Sequence, residues 1–347
     1  MSTPYESVIS DLKSHPRKWL VTGVAGFIGS NILQKLLELD QQVTGLDNYV
    51  TGYRHNLEDV RSLVQPAQWQ RFRMVEGDIC NLAACRDACQ GVEIVLHQAA
   101  LGSVPRSMED PLSSHESNVN GFLNVLLAAR DAGAKRFVYA SSSSVYGDNP
   151  VLPKTEDGIG KPLSPYAATK YINEIYADVF QRVYGLSSVG LRYFNVFGPR
   201  QDPCGAYAAV IPRWFESILL GKPLEINGDG ETSRDFCYVA NAVQANILSG
   251  LAPAEASGKI YNVAVAQQTT LNQLANMIMA EVKRLRPGAA EGKILYRDFR
   301  PGDIRHSLAD ISLARQHLGY VPSHSIGQGL TEASAWYLRR CENVAAV

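Results

Sequence analysis

Tyr166 and Lys170 stand four residues apart in Ser164-Pro165-Tyr166-Ala-Ala-Thr-Lys170, a spacing that puts both side chains on one face of a helix whose start is marked by Ser-Pro. A phenol with an ordinary pKa near ~10 is a poor base at neutral pH, but an adjacent ammonium and a second cation nearby favour the phenolate. The pair therefore reads as an acceptor and donor of a hydroxyl proton. Just upstream, the strand-like run Arg136-Phe-Val-Tyr-Ala140 leads into Ser141-Ser142-Ser143-Ser144. Several hydroxyls thus sit at the carboxyl end of a buried strand, where one of them should bridge Tyr166 and a substrate hydroxyl.

A second constellation, Gly23-Val-Ala-Gly26-Phe27-Ile28-Gly29, lies between an apolar strand and a helix. Glycines there let the backbone approach a pyrophosphate at the positive helix N-terminus. Asp47 ends the next strand, about where an acid holds the adenosine ribose hydroxyls, with Asn48 and Gly52 in the turn behind it. An acid at that position disfavours a 2′-phosphate, so the sequence points to NAD rather than NADP. Asp78 and Ile79 close the third strand and Gln98-Ala99-Ala100 the fourth, all at carboxyl strand ends where ligands bind in open α/β sheets. The small residues 99 and 100 let a cofactor lie close to the backbone. A nicotinamide cation supplies the second positive charge that Tyr166 needs, and Lys170 can also grip its ribose.

These residues require a particular scaffold. Apolar strands at 19–23, 42–47, 72–78, 93–99, 136–142 and 188–195 alternate with helices at 30–40, 81–90, 118–132 and 165–184. Continuous apolar strands separated by helices predict an α/β fold, a Rossmann-type doubly wound parallel sheet covered on both faces. Residues 1–18 carry Tyr5, Val8, Ile9 and Leu12 at helical spacing before Pro16, which predicts a helical extension on the outside of the domain. Residues 19–195 form the dinucleotide-binding domain. Beyond Asn195 shorter, Pro/Gly-rich segments mark 196–347 as mainly a smaller α/β substrate-binding lobe, with some later segments returning to the first domain.

Composition narrows the partners. The 347 residues carry a net charge of −1 and are 46% hydrophobic and 19% charged, so no basic field invites a nucleic acid or an anionic membrane, and anionic ligands must be held locally. Neither a secretory signal nor a long apolar run is evident. The cysteines at 80, 85, 89, 204, 237 and 341 lack zinc-type pairing and read as reduced thiols in a cytoplasm; Cys85 and Cys89 read as buried packing, and no metal is expected.

The strings TGVAGFIGS, HQAALGSVPRS, SSSSVYGD, SPYAATK and RYFNVFGPRQ resemble those of the NAD-dependent sugar-nucleotide epimerases and dehydratases, extended short-chain dehydrogenases, from about residue 18 onward. More narrowly, ALGSVPRS, GAYAAVIP and NGDGETSRDFCY are similar to bacterial UDP-N-acetylglucosamine 4-epimerases of surface-polysaccharide synthesis. The resemblance implies Ser142 as the catalytic serine. Dehydratases carry an acid pair at the positions of Ser143 and Ser144 and decarboxylases a glutamate at the second, and a serine cannot replace a carboxyl in proton transfer. A 4-epimerase needs only reversible oxidation; UDP-glucose/UDP-galactose and UDP-uronate epimerases stay open as alternatives. The resemblance further implies that Asn195, Val210, Trp214, Asn227, Arg234, Arg300 and Asp303 hold the uridine diphosphate, with Gly102, Ser103 and Ser143 along the sugar. Ser307 stands where a tyrosine excludes acetamido sugars in some relatives. The helices at 118–132 and 165–184 correspond to those that pair in a homodimer. Ser141, Val145 and Glu225 depart from the pattern, the last where an aromatic is expected. A non-catalytic NAD-binding regulator of this fold should have lost Ser142, Tyr166 or Lys170; all three are present.

Overall fold

The computed structural model describes residues 3–203, 208–288, 292–299 and 304–345. Seven strands form the central sheet: β1 (Lys18–Thr22), β2 (Gln42–Asp47), β3 (Phe72–Glu76), β4 (Ile94–His97), β5 (Arg136–Ser142), β6 (Ser188–Tyr193) and β7 (Lys259–Val263). They lie in the order β7-β6-β5-β4-β1-β2-β3, all parallel. Residues 19–22 and all of β4 are buried, as they must be in strands covered on both faces. The strand order reverses between β1 and β4, the point at which the carboxyl strand ends open a crevice. β7 arises from late in the chain and completes the sheet beside β6.

The helix Phe27–Glu38 turns Ile32, Leu33, Leu36 and Leu37 onto the sheet. Val239–Leu251 is buried along most of its length, as a helix between two packed surfaces must be. The amphipathic N-terminal helix is present as Pro4–Ser14, with Thr3 and Glu6 in a capping box and Leu12 fully buried. Gln41 secures it, donating to the Leu12 carbonyl at 2.8 Å while accepting from Trp19 Nε1 at 3.2 Å. The helices Val210–Leu219, Leu271–Leu285 and Ile326–Ala345 share a second core that includes Trp214, Phe215, Leu274, Ile278 and Tyr337.

Two local features differ from the sequence pattern. The helix expected at 118–132 begins as a π-helical turn, Glu116–Asn120, before the α-helix Gly121–Asp131. The wider turn carries Asn118 inward, where it bonds both the N–H and the carbonyl of Leu101, at 2.7 and 3.1 Å, and reaches Thr169 Oγ1 at 3.3 Å. The helices Arg54–Leu63, Val104–Glu109 and Pro111–His115 were not anticipated, although Leu57 and Val60 on the first of them are buried at helical spacing.

Candidate active site

A cleft of about 1160 Å³ opens over the carboxyl ends of the central strands. At its floor Gly26 caps the helix Phe27–Glu38 without any side-chain hydrogen bond, so the first N–H groups, at Phe27, Ile28 and Gly29, are left for an anionic ligand. A Cβ on Gly29 would stand 2.1 Å from the Gly23 carbonyl oxygen, and one on Gly23, whose φ is +67°, would stand 2.8 Å from the Ala99 nitrogen. Those two glycines allow the turn and its approach to β4; Gly26 leaves the cradle open.

Asp47 is 8% exposed, its carboxylate accepting the Ala25 N–H at 2.9 Å and the Tyr49 N–H at 2.8 Å. Burial raises its pKa, with those N–H groups opposing. Gly52 packs so closely that a Cβ would meet Asp47 Oδ1 at 3.0 Å. Asp78 accepts from Cys80 N–H at 2.7 Å and from Asn48 Nδ2 at 2.8 Å; burial pushes its pKa up, but these bonds outweigh it and hold the carboxyl below the ordinary range. Ile79, Gln98, Ala99 and Ala100 also line the cleft. The expected cofactor residues are therefore brought together on one wall, and they offer what a dinucleotide needs: a free helix N-terminus, an acid beside small residues, and close backbone approach.

Ser142, Tyr166 and Lys170 line the same cleft. Ser164 caps the helix Pro165–Tyr184, accepting the Ala167 N–H at 3.1 Å, and the Tyr166 N–H is fixed to Ser107 Oγ at 3.0 Å. Lys170 Nζ donates to the Ala140 carbonyl at 2.9 Å and lies 5.9 Å from the Tyr166 ring centroid. Burial lowers the Lys170 pKa to about 8, against the attraction of Glu174. Burial raises that of Tyr166, and a hydrogen bond with Ser142 opposes the rise. In this environment the phenol on its own is thus harder to ionise than a free one.

Ser142 Oγ accepts both the Ser144 hydroxyl at 3.0 Å and the Ser144 N–H at 3.2 Å. With its lone pairs so engaged, the Ser142 proton is what it has to give, and a proton donated toward Tyr166 favours the phenolate. The sequence pattern gave no sign of this use of Ser144. Nor did it single out Arg106, Tyr193, Arg200 or Gln201, which line the same cleft. Arg200 is 3% exposed, its guanidinium held by Ser30, Asn31 and Gln34 at 2.7–3.1 Å; it sat within RYFNVFGPRQ, but only tertiary packing brings it under the glycine turn.

Of the expected substrate residues, Gly102, Ser103 and Asn195 line the cleft. A Cβ on Gly102 would meet nothing within 4 Å, while Ser103 Oγ caps the helix Val104–Glu109. Asn195 takes φ +31° and donates to the Asp235 carbonyl at 3.3 Å. Ser143 lies in the 3₁₀ turn Ser143–Tyr146, off the cleft wall. Val210 opens a helix directly after Ala209, which does line the cleft. Trp214 is 1% exposed, packed in the core with Phe215 and Tyr337, its indole N–H donating to the Glu225 carbonyl at 3.3 Å, and it does not line the cleft. Asn227 ends the strand Leu224–Asn227, and Glu225, half exposed there, pairs with Arg297 at 2.8 Å. Arg234 and Ser307 are brought side by side, since Arg234 Nη1 donates to the Ser233 carbonyl at 2.9 Å and the Ser307 N–H to the same oxygen at 3.1 Å. Neither they nor Asn227 line the cleft. Arg300 and Asp303 lie outside the described residues. Cys85 and Cys89 are buried, and among the described residues no cluster of ligating side chains is placed to hold a metal.

A doubly wound sheet with a glycine turn at its switch point, and a tyrosine–lysine pair lining the same cleft, defines an extended short-chain dehydrogenase scaffold. The chain belongs to the NAD dependent epimerase/dehydratase family, whose model matches residues 19–264, and its cofactor is NAD. It is 34% identical over 318 residues to a putative UDP-glucose 4-epimerase of Methanocaldococcus jannaschii, covering 91% of this chain and 97% of that one. It is 33% identical over 334 residues to a UDP-glucuronate 4-epimerase of Thermodesulfobacterium geofontis, covering 95% and 98%. Among solved structures, a UDP-N-acetylglucosamine 4-epimerase of Methanobrevibacter ruminantium in complex with UDP-N-acetylmuramic acid matches with a TM-score of 0.85 and 37% identity, covering 94% of this chain and 99% of that one.

Proposed function

We propose that this UDP-sugar 4-epimerase interconverts UDP-N-acetylglucosamine and UDP-N-acetylgalactosamine in the cytoplasm, for surface-polysaccharide synthesis. The observation that carries the reading is a Ser142–Tyr166–Lys170 set lining one cleft, with hydroxyls and no carboxyl at 143 and 144. Such a site can oxidise and reduce a carbinol but lacks the acid that water loss or decarboxylation requires.

NAD supplies the reversible acceptor of hydride at sugar C4. Tyr166 takes the proton of the 4-hydroxyl, with Ser142 hydrogen-bonded between the phenol and the sugar. Lys170 holds the phenolate electrostatically. The 4-keto sugar turns over while anchored by its diphosphate, and Tyr166 returns the proton once the other face of C4 has been reduced. Arg234, Asn195 and Ser307 form the nucleotide and sugar side of this assignment, and the small side chain of Ser307 leaves room for an acetamido group. A UDP-uronate is the second reading, favoured by the UDP-glucuronate 4-epimerase relative and by Arg106 in the cleft wall.

Incubation of the purified protein with a panel of UDP-sugars, followed by chromatography, is expected to yield the two N-acetylhexosamine nucleotides at equilibrium without added cofactor and without net NADH. A stable 4-keto-6-deoxy product, or carbon dioxide from a UDP-uronate, would sink the epimerase assignment; turnover restricted to UDP-glucuronate would transfer it to the second sugar.

The chain is also assigned as a homodimer through the helices Gly121–Asp131 and Pro165–Tyr184. Ile175 and Val183 on the latter are 48% and 65% exposed, and Met108 and Leu112, from the adjoining short helices, 63% and 81%. An apolar surface of this kind suits burial against a second copy. The five cysteines among the described residues are free thiols, in keeping with a reducing compartment.

A further inference from the structure

Two segments of the cleft wall that lie 149 residues apart in the chain are joined by one side-chain bond. Tyr53, at the start of the helix Arg54–Leu63, donates its hydroxyl to Asp202 Oδ2 at 2.6 Å. Its ring stacks on that of His55, with centroids 4.9 Å apart, so packing as well as the bond directs the phenol.

Each partner is anchored to the glycine turn or to the helix that follows it. On one side the Tyr53 N–H donates to the Ala25 carbonyl at 3.0 Å, and Asn56 Nδ2 to the same oxygen at 2.9 Å. On the other, Asn31 Nδ2 donates to the Pro199 carbonyl at 3.0 Å, while Ser30, Asn31 and Gln34 hold the Arg200 guanidinium. Arg200 takes φ +68°, a left-handed backbone that a residue with a side chain keeps only where its surroundings fix it. Gln201 is fastened as well, donating to the Val196 carbonyl at 3.2 Å and accepting the Tyr337 hydroxyl at 3.1 Å.

Together with the chain from Ala25 to Asn31, these contacts close a circuit that passes the first turn of the helix Phe27–Glu38. Gly26, Phe27, Tyr53, Arg200, Gln201 and Asp202 all line the cleft, so the circuit borders the cradle of free N–H groups. The member placed to open is the Tyr53–Asp202 bond. Tyr53 is 39% exposed whereas Arg200 is buried, and an exposed hydrogen bond yields to local opening more readily than a buried one.

We propose that the Tyr53–Asp202 hydrogen bond is a clasp across the cofactor cradle, which opens for NAD to enter or leave and stays closed during turnover. A 4-epimerase regenerates NAD in each cycle and gains nothing by exchanging it. A bond between two otherwise fixed segments retains the cofactor without touching the reacting atoms. The clasp acts on the cofactor and serves whichever UDP-sugar is turned over.

Release is measured by chasing the NAD-loaded protein with excess isotopically labelled NAD, and entry by mixing NAD with stripped protein and trapping the bound fraction at set times. A gate slows passage in both directions, so its removal speeds both and leaves Kd unchanged; a residue that only contacts the cofactor alters release alone. Tyr53→Phe, which keeps the ring on His55, and Asp202→Ala are each expected to speed release and entry by about ten-fold. The double variant Tyr53→Phe/Asp202→Ala should be no faster than either single one. Asp202→Asn keeps an acceptor for the hydroxyl and should fall between wild type and Asp202→Ala. Unchanged release in Tyr53→Phe, faster release with unchanged entry, effects that multiply in the double variant, or an asparagine variant as fast as the alanine one would each overturn the proposal.

Discussion

Lys170 shows what the site costs the fold. Its ammonium is buried, and the fall of its pKa from 10.5 to about 8 corresponds to roughly 3–4 kcal/mol of destabilisation at most. Because the folded value lies below the unfolded one, the unfolded chain binds the extra proton between those limits. The penalty is fully present below about pH 8 and disappears as pH rises toward 10.5. Lys170→Met is therefore expected to raise the thermal midpoint of the NAD-free protein at pH 7 by a few degrees while abolishing turnover; an unchanged or lower midpoint would show that the bond to the Ala140 carbonyl outweighs the desolvation. Tyr166→Phe leaves every packing contact of the ring in place and should reduce kcat by about 10²–10⁴-fold or more with NAD still bound, as measured by cofactor extraction.

At the scale of elements, the glycine turn and the helix Pro165–Tyr184 do most of the positioning, and both were legible in the sequence for the same reason. Each is a local arrangement whose requirements fall within a few neighbouring residues: no side chain at Gly29, a cap at Ser164, two groups four apart. Gly29→Ala would drive a Cβ into the Gly23 carbonyl, 2.1 Å away. It should cost bound NAD and several degrees of stability, read by the NAD content of the purified protein and its melting curve. What stayed illegible depends on distant partners. Nothing near Trp214 in sequence reveals that the Glu225 carbonyl and the core around Phe215 enclose it. The π-turn at Glu116–Asn120 was hidden because its reason is Leu101, whose N–H and carbonyl Asn118 must reach. Ser144 was passed over because the value of its hydroxyl lies in what it does to Ser142.

For the whole molecule, the exposed apolar surface on the helix Pro165–Tyr184 makes a statement about assembly that a mutation can read. Val183→Asp, placed where the side chain is 65% exposed, should leave the fold intact and shift light-scattering mass from dimer to monomer; a wild-type protein already monomeric at micromolar concentration would dispose of the dimer assignment. Stability of the fold and identity of the substrate are also separable at this scale. Residues 19–203 bring the cofactor wall and the reacting side chains to one sheet edge, whereas Arg234 and Ser307 approach from the later lobe.

The tie between the end of β5 and the helix beside it has a consequence for how such an enzyme changes. The groups proposed to handle the proton ride on a strand end and the helix tied to it and belong to no loop, so exchanging loops leaves their supports in place. Segments of the later lobe can be lengthened, shortened or resurfaced to admit a new sugar while the reacting atoms keep their places. Diversification on this scaffold is thus a matter of recutting the lock around a fixed bolt, and a laboratory search for new sugar acceptance should leave residues 140–144 and 166–174 untouched and randomise the chain around Ser307.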